Sequence, residues 1–311
     1  MKTNSVTPAD LVASVLALPP LARTRDGAIA TVEQEKIVGW LRSAGVTTFL
    51  YGGIANFFNI AVSDYAATLD AVEALAGPEE WVIPSIGPDF GKAMDQIKIL
   101  RGRDFPSAML LPLQMVSRAG VATGLRRLSD AFGRPLMVFF KSADYVAPRD
   151  LGQLIKDGVL CCVEYGIGGS TDTAEPFLAE LLDTTGSAAS IIDGAGERTI
   201  VDHARFGLVG YTTGSGVLAP HLSMALLAAV KKGDLAEAAR LREFFLEHEA
   251  LRLKYGQIPV LHDAVRLSGI ADTGPLGPLF ANVTDESALR DIAAAARKLK
   301  AESEASVRKA A

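Results

Sequence analysis

Short apolar runs alternate with longer amphipathic segments along most of the chain. The runs are apolar through most of their length, which is typical of strands that are buried on both faces of a parallel sheet. We predict eight such strands, at residues 15–21, 47–51, 81–86, 108–113, 136–141, 159–165, 189–192 and 207–212.

Helical patterns separate these strands, at residues 31–44, 63–75, 92–101, 121–132 and 174–182. In the first of them, Thr31 is expected to be the N-cap, Glu33 and Glu35 lie in the first turns, and Gly45 follows the end. The alternation of strand and helix indicates an α/β fold with a parallel sheet. Eight such units favour a closed (β/α)8 TIM barrel, and an open doubly wound sheet is the alternative.

Four further helical stretches follow the last strand, at residues 221–231, 235–255, 259–267 and 287–304. They exceed what closure of a barrel needs. Because no linker rich in Pro, Gly or Ser interrupts the chain, we predict a single domain over residues 1–311. It would comprise a TIM barrel core at 8–220 and a C-terminal helical extension at 221–311. The apolar stretch 11–22 contains Pro19-Pro20 and is bordered by Asp10, so it predicts a short helix and the first strand rather than a signal peptide.

Composition narrows the range of partners. Hydrophobic residues make up 49% of the 311 residues and charged residues 22%, which is a globular balance. The formal charge of −5 and the lack of a basic run argue against a nucleic-acid partner. No apolar run reaches the roughly 18 residues of a membrane span, so no membrane partner is expected. The two cysteines, Cys161 and Cys162, are neighbours on one strand and poorly placed to pair, which fits a cytoplasmic location.

The carboxyl ends of the strands are where barrels of this kind carry their chemistry. Gly52 and Gly53 end the second strand and leave backbone amides open to a carboxylate, although a tight turn is the alternative. Lys141 ends the fifth strand with the parity of Phe139, so its side chain should point into the barrel mouth. Beside apolar walls it would act as a nucleophile or a carboxylate anchor, and a lysine reaching water at the rim is the alternative.

Other common site types are not supported by the sequence. The glycine loop at 166–169 does not match the dinucleotide fingerprint, and a phosphate site there is only a minor alternative. His203, His221, His248 and His262 lack the spacing of a metal site. No Gly-x-Ser-x-Gly elbow follows a strand. We therefore predict no metal and no cofactor.

Several segments together resemble one family. Residues 52–60, Gly-Gly-Ile-Ala-Asn-Phe-Phe-Asn-Ile, are similar to Gly-Gly-Thr-Gly-Glu-Phe-Phe-Ser-Leu of the 5-dehydro-4-deoxyglucarate dehydratases. Residues 135–141, Pro-Leu-Met-Val-Phe-Phe-Lys, resemble the fifth strand of the same group, and residues 273–279, Thr-Gly-Pro-Leu-Gly-Pro-Leu, resemble its C-terminal tail. Over residues 8–300 the chain therefore resembles the dihydrodipicolinate synthase and N-acetylneuraminate lyase superfamily, and most of all its dehydratase branch.

The chain departs from this family at the residues that carry its chemistry. The resemblance puts Val163 at the sixth-strand lysine, which in the family forms an imine with a keto acid. The fifth-strand tyrosine that relays protons falls on Phe139. The two threonines of the synthases fall on Gly53 and Ile54, and the glutamate of that loop falls on Asn56. Valine has no nucleophilic nitrogen and phenylalanine has no hydroxyl, so the usual aldolase chemistry is not expected.

No lysine occurs between residues 156 and 231 to replace the missing one on the later strands. Three functions stay open: a keto-acid or sugar-acid lyase with its lysine relocated to Lys141, a non-catalytic pseudoenzyme that binds an organic acid, and a non-imine hydrolase or isomerase. The catalytic candidates are Lys141 and Glu164. The candidates for substrate binding are Gly52, Gly53, Asn56, Gln114, Phe139, Val163, Tyr165 and Gly194. The resemblance also implies a homodimer or homotetramer.

Overall fold

The protein is described by a computed structural model that covers residues 1–167 and 175–310. Eight parallel strands follow one another around a sheet in the order β7-β6-β5-β4-β3-β2-β1-β8. A parallel bridge between Asp193 and Tyr211 joins the two ends of this order, so the sheet closes into a barrel. The prediction of a (β/α)8 TIM barrel is confirmed.

Six strands lie within the apolar runs that predict them, while β7 and β8 overlap their runs but end one residue later. They are β1 Leu16–Ala17, β2 Thr48–Tyr51, β3 Trp81–Ile86, β4 Met109–Leu110, β5 Leu136–Phe140, β6 Leu160–Tyr165, β7 Ile191–Asp193 and β8 Thr212–Thr213. The first strand ends before Pro19 and Pro20 because proline has no backbone N–H to donate to a neighbouring strand.

Helices cover the outside of the barrel. They are α1 Thr31–Ser43, α2 Val62–Ala74, α3 Phe90–Leu100, α4 Arg118–Phe132, α5 Pro148–Lys156, α6 Pro176–Thr185, α7 Ile200–His203 and α8 Pro220–Lys232. The prediction of Thr31 as the N-cap of α1 is wrong: Ala30 is the cap residue and makes no side-chain cap bond. The side chain of Gln34, in the first turn, joins the helix to the segment after β1 by accepting a hydrogen bond from the Ala22 amide at 2.8 Å.

Three more helices follow: α9 Leu235–Tyr255, α10 Gln257–Leu267 and α11 Glu286–Ala310. Helix α9 packs on α8, α10 and α11, and it also contacts the short 3₁₀ helices Gly196–Arg198 and Ser215–Val217. Those two turns follow the carboxyl ends of β7 and β8. The C-terminal helices therefore reach the end of the barrel at which a site is expected.

Buried apolar side chains from the strands and from the C-terminal helices form one hydrophobic cluster. It includes Met137 and Val138 of β5 as well as Phe245 of α9, Val260 of α10 and Ile292 of α11. Over residues 1–167 and 175–310, no helix is both long enough and apolar enough to cross a membrane.

Candidate active site

A cavity of about 250 Å³ lies at the carboxyl ends of the strands. Strand ends and the turns after them supply most of the wall, and α9 and the start of α10 close one side with Glu249, Arg252, Gln257 and Ile258. Its apolar lining includes Leu18, Ile54, Phe58, Met109 and Pro112. Small-molecule sites in proteins are concave, mostly apolar and supplied with a few convergent polar groups, as this cavity is.

Five of the ten residues singled out in the sequence line this cavity: Gly53, Phe139, Lys141, Glu164 and Gly194. Gly194 leaves room for two of the others, because a Cβ there would lie 2.9 Å from Cγ of Glu164 and 3.2 Å from Cε2 of Phe139. The turn after β7 is held by Asp193, whose Oδ1 accepts from the amides of Ala195 at 2.7 Å and Gly196 at 3.0 Å.

Three of the residues expected to bind substrate lie elsewhere. Gly52 is buried against Met109, whose Cε would be 2.7 Å from a Cβ at this position. Asn56 adopts a left-handed conformation with φ of 56°. Its side chain donates to the Pro278 carbonyl at 3.1 Å and accepts from Asn59 at 2.7 Å, so its polar atoms have a structural use. Gln114 is exposed on the loop after β4 and does not line the cavity.

Val163 and Tyr165 are also outside the cavity, because side chains alternate along a strand and Glu164 lies between them. The Tyr165 hydroxyl donates to Glu175, and its ring packs against Phe177 of α6. The expectation that these two residues contact substrate is therefore not met by their positions. On β6, the residue at the cavity is the carboxylate Glu164.

Glu164 is 2% exposed, and its two carboxyl oxygens differ in their surroundings. Thr212 of β8 donates its hydroxyl to Oε1 at 2.8 Å. Oε2 is buried and has no hydrogen-bond partner among the described residues. Burial raises the pKa of Glu164 to about 7, although Thr212 and Lys141 oppose the rise. The group can therefore hold or release a proton near neutral pH.

Lys141 lies in the cavity wall, at the place that the parity of β5 predicts. Its Nζ donates to Oε1 of Gln257 at 2.9 Å and lies 5.5 Å from the centre of the Phe139 ring. Desolvation by the surrounding protein atoms lowers the pKa of Lys141, and Arg252 lowers it further, while Glu164 opposes this change. The side chain keeps exposed surface at the mouth of the cavity.

Sequence reasoning missed the polar residues that α9, α10 and the turn after β7 bring to the cavity. These are Glu197, Arg198, Glu249, Arg252 and Gln257. Glu249 and Arg252 are three residues apart on a long helix, a spacing usual for a surface ion pair. Nothing in the local pattern distinguishes them, since their burial results from contact with the barrel. Gly214 was the one hint in the sequence, because a glycine just after a strand leaves space for a side chain from another element.

A second buried carboxyl, Glu197, also lines the cavity. It accepts hydrogen bonds from Ser223 at 2.7 Å and from the Thr213 hydroxyl. Burial and the nearby Glu249 raise its pKa to about 7. These bonds join the turn after β7 to β8 and to α8, so Glu197 connects elements that frame the cavity.

Among residues 1–167 and 175–310, no group of three or more His, Cys, Asp or Glu side chains is arranged to hold a metal ion. The minor alternative of a phosphate site at 166–169 falls partly outside the described residues, since only 166 and 167 belong to them. Gly166 lines the cavity and packs closely on Phe139, whose Cε2 would be 2.6 Å from a Cβ there.

No family model matches the chain. In sequence it is similar to a probable 5-dehydro-4-deoxyglucarate dehydratase of Chelativorans sp. (strain BNC1), with 25% identity over 287 residues that cover 89% of this chain and 92% of that protein. A protein of the same name from Xanthobacter autotrophicus is 24% identical over 295 residues, which cover 90% and 94%.

In structure the chain is similar to dihydrodipicolinate synthase from Oceanobacillus iheyensis, with a TM-score of 0.82, 16% identity and coverage of 93% and 97%. It is also similar to YagE of E. coli K12 in complex with pyruvate, with a TM-score of 0.79, 19% identity and coverage of 92% and 98%. These structural likenesses establish the shared barrel, and the sequence relatives add the branch. The comparisons thus confirm the resemblance of the chain to the dihydrodipicolinate synthase and N-acetylneuraminate lyase superfamily, and to its 5-dehydro-4-deoxyglucarate dehydratase branch.

Proposed function

We propose that the cavity binds a small keto acid or sugar acid and that Glu164 transfers protons to and from it. The observation that carries this proposal is the state of the Glu164 carboxyl. One oxygen is held by Thr212, the other has no partner among the described residues, and the pKa is raised to about 7 by burial. A general acid or base works best when its pKa lies near the working pH.

The charges around the cavity favour an anionic ligand. Lys141, Arg198 and Arg252 line it, together with three carboxyl groups, those of Glu164, Glu197 and Glu249. Burial raises the pKa of Glu164 and of Glu197 to about 7, so the cations are in excess below that pH. Guanidinium groups match the geometry of carboxylates. The relatives in sequence are named for a sugar-acid dehydratase, and YagE was solved with pyruvate. We extend the ligand class of those proteins to this chain as part of the proposal.

Glu164, rather than Val163, is proposed to stand where the superfamily has its imine-forming lysine. A lysine that forms an imine with a bound keto acid has to face the cavity. On β6 that position belongs to Glu164, and Val163 does not line the cavity. A carboxylate cannot form an imine, so the chemistry proposed here is acid–base chemistry.

For a dehydration, ionised Glu164 would take the proton from the carbon next to the substrate carbonyl, and the electron pair of that bond would form an enolate. Lys141 and the arginines would stabilise the negative charge on the enolate oxygen. The carbonyl would then re-form, and the enolate electron pair would make a carbon–carbon double bond as the bond to the hydroxyl on the next carbon breaks. The protonated Glu164 would give its proton to that departing oxygen. Water leaves, and the carboxylate is restored.

This function is tested by binding and by proton exchange. Calorimetry with pyruvate, D-gluconate and D-glucarate should detect binding of at least one acid to the wild type. For that acid, NMR in D2O should show exchange at the carbon next to the carbonyl or carboxylate. E164Q should keep the dissociation constant within a few-fold and slow exchange at least 100-fold. Failure of all three acids to bind at millimolar concentration, or unchanged exchange in E164Q, would contradict the proposal.

A second candidate has its own observation. Lys141 is the lysine that lines the cavity, and its pKa is lowered by desolvation and by Arg252. A lyase that forms its imine at Lys141 would be trapped by borohydride with pyruvate, and the added mass would map to Lys141. K141R, which keeps the charge, is the matched control and should remain unmodified. An unmodified wild type excludes this candidate and leaves binding without turnover, or the Glu164 chemistry, to the exchange measurement.

We also propose that the protein is a homodimer or homotetramer in the cytoplasm, with no nucleic acid or membrane as partner. The oligomer is suggested by the family resemblance, and the cytoplasm by the two cysteines, which are unpaired. Sedimentation equilibrium of the full chain would give its mass directly. A mass of one chain at micromolar concentration would contradict the oligomer.

A further inference from the structure

Arg252 belongs to α9, outside the barrel, yet its guanidinium group lines the cavity. The residue is 7% exposed, which is unusual for arginine. Nη1 donates to Oε1 of Glu249 at 2.5 Å, and Nε makes a long contact of 3.5 Å with the Gln257 carbonyl. Within the described parts of the chain, Nη2 has no hydrogen-bond partner. A buried cation with an unused amino group at a cavity wall is equipped to receive an anion.

The lack of a side chain at Gly214 leaves space for this guanidinium group in the cavity wall. A Cβ at position 214 would lie 2.5 Å from Nη2 and 2.7 Å from Cζ and Nη1 of Arg252. The backbone there has φ of −96° and ψ of −56°, which any residue can adopt. Glycine is therefore required by the approach of Arg252 and not by the turn.

Glu249 and the residues around it hold Arg252 in place. Glu249 is 5% exposed and also accepts a hydrogen bond from the Ser215 hydroxyl. Burial acts to raise the pKa of Glu249, but Arg252 and Ser215 outweigh it and keep the pKa below its usual value. Ser215 is fixed in turn by Nδ1 of His248, 2.7 Å from its Oγ. The carboxylate is thus ionised beside the arginine and orients it toward the cavity.

From this arrangement we infer that Arg252 determines the specificity of the cavity by binding the carboxylate of the ligand, with Gly214 admitting it and Glu249 positioning it. The inference rests on the proposed function, because it assumes that an organic acid occupies the cavity. It assigns the recognition of that acid to a helix that follows the barrel rather than to a barrel strand.

The test compares acids with their uncharged amides. Dissociation constants of pyruvate, D-gluconate and their amides would be measured by calorimetry for wild type, R252M, R252K and G214A. R252M should weaken binding of the acid at least about 10-fold and change binding of the amide by less than 3-fold, since only the acid loses a charged hydrogen bond. R252K should recover part of the loss. G214A should weaken acid binding similarly while its melting temperature stays close to that of wild type.

Matched controls come from the same helix and from another glycine. R240M removes an arginine of α9 whose side chain is 59% exposed, and G39A adds a Cβ to α1 where no atom lies within 4 Å. Neither should alter acid binding. E249Q should weaken acid binding less than R252M does and should leave the amide unaffected. If wild type binds the acids and both R252M and G214A bind them equally well, the inference is overturned and the proposed function stands. If wild type binds neither of these acids nor D-glucarate, both fail.

Discussion

At the scale of single residues, the position of Glu164 changes how the sixth strand is interpreted. The family resemblance puts Val163 at the place of the lysine, whereas the register proposed here, one residue later, puts Glu164 there, and Glu164 is the residue that lines the cavity. A shift of one residue along a strand moves every side chain to the opposite face, so the register decides which residue faces the cavity. The sequence shows that Glu164 alternates with Val163 and Tyr165 along the strand. The different surroundings of its two carboxyl oxygens depend on Thr212, and its raised pKa depends on burial in the closed barrel.

The raised pKa predicts how stability depends on pH. The unfolded Glu164 has a pKa of 4.5, and the folded group has a pKa of about 7. Between these values the folded chain keeps a proton that the unfolded chain has released, so the free energy of unfolding falls as pH rises. Relative to wild type, E164Q should gain roughly 3 kcal/mol between pH 4 and pH 8, because glutamine does not ionise.

Urea denaturation at pH 4, 6 and 8 measures this difference. E35Q, which changes an exposed carboxyl on α1, is the control and should follow the wild-type profile. A constant difference between E164Q and wild type across this range would show that Glu164 titrates normally in the folded protein.

At the scale of elements, the sequence predicts most of the fold because burial on both faces makes parallel strands visible as apolar runs. Six of the eight runs contain their strand, the other two overlap β7 and β8, which end one residue later, and α9 has the bounds expected for it. Arg252 could not be predicted this way. Its place depends on the contact of α9 with the turn after β8, which involves residues distant in the sequence and a missing Cβ at Gly214.

Packing between α5 and α6 gives a second prediction. Gly152 of α5 faces Thr184 of α6, whose Cβ would lie 2.7 Å from a Cβ at position 152. G152A should reduce the free energy of unfolding by about 1–3 kcal/mol, because the two helices would have to separate. G39A is the matched control: an exposed glycine inside α1 with free space around it should gain about 0.5–1 kcal/mol as alanine. Chemical denaturation of both variants decides; a stabilised G152A would contradict the close approach of the two helices.

At the scale of the whole molecule, the barrel and the C-terminal helices share one hydrophobic cluster. The chain has two tryptophans, one inside the barrel and one in contact with the C-terminal helices. Trp81 is buried in β3. Trp40 of α1 donates to the Val217 carbonyl at 3.1 Å, meets His221 of α8 edge-on, and has Nζ of Lys300 in α11 5.5 Å from its ring.

We therefore predict that the barrel and the C-terminal helices unfold together. Fluorescence of W40F, which retains Trp81, and of W81F, which retains Trp40, should give unfolding midpoints that differ from the far-UV circular dichroism midpoint of the same variant by no more than the error. Circular dichroism of each variant serves as its internal control. A Trp40 transition at clearly lower urea would mean that the C-terminal helices form a separate unit.

The reach of α9 into the barrel mouth has a consequence for the order in which the site is made. A ribosome that has completed all eight strands has still to synthesise Arg252 and Gln257, which form part of the cavity wall. A nascent chain with a complete barrel therefore lacks the cation that faces Gly214 and the amide that holds Lys141. Synthesis of the framework and assembly of the pocket are separate events in time, and the pocket comes last.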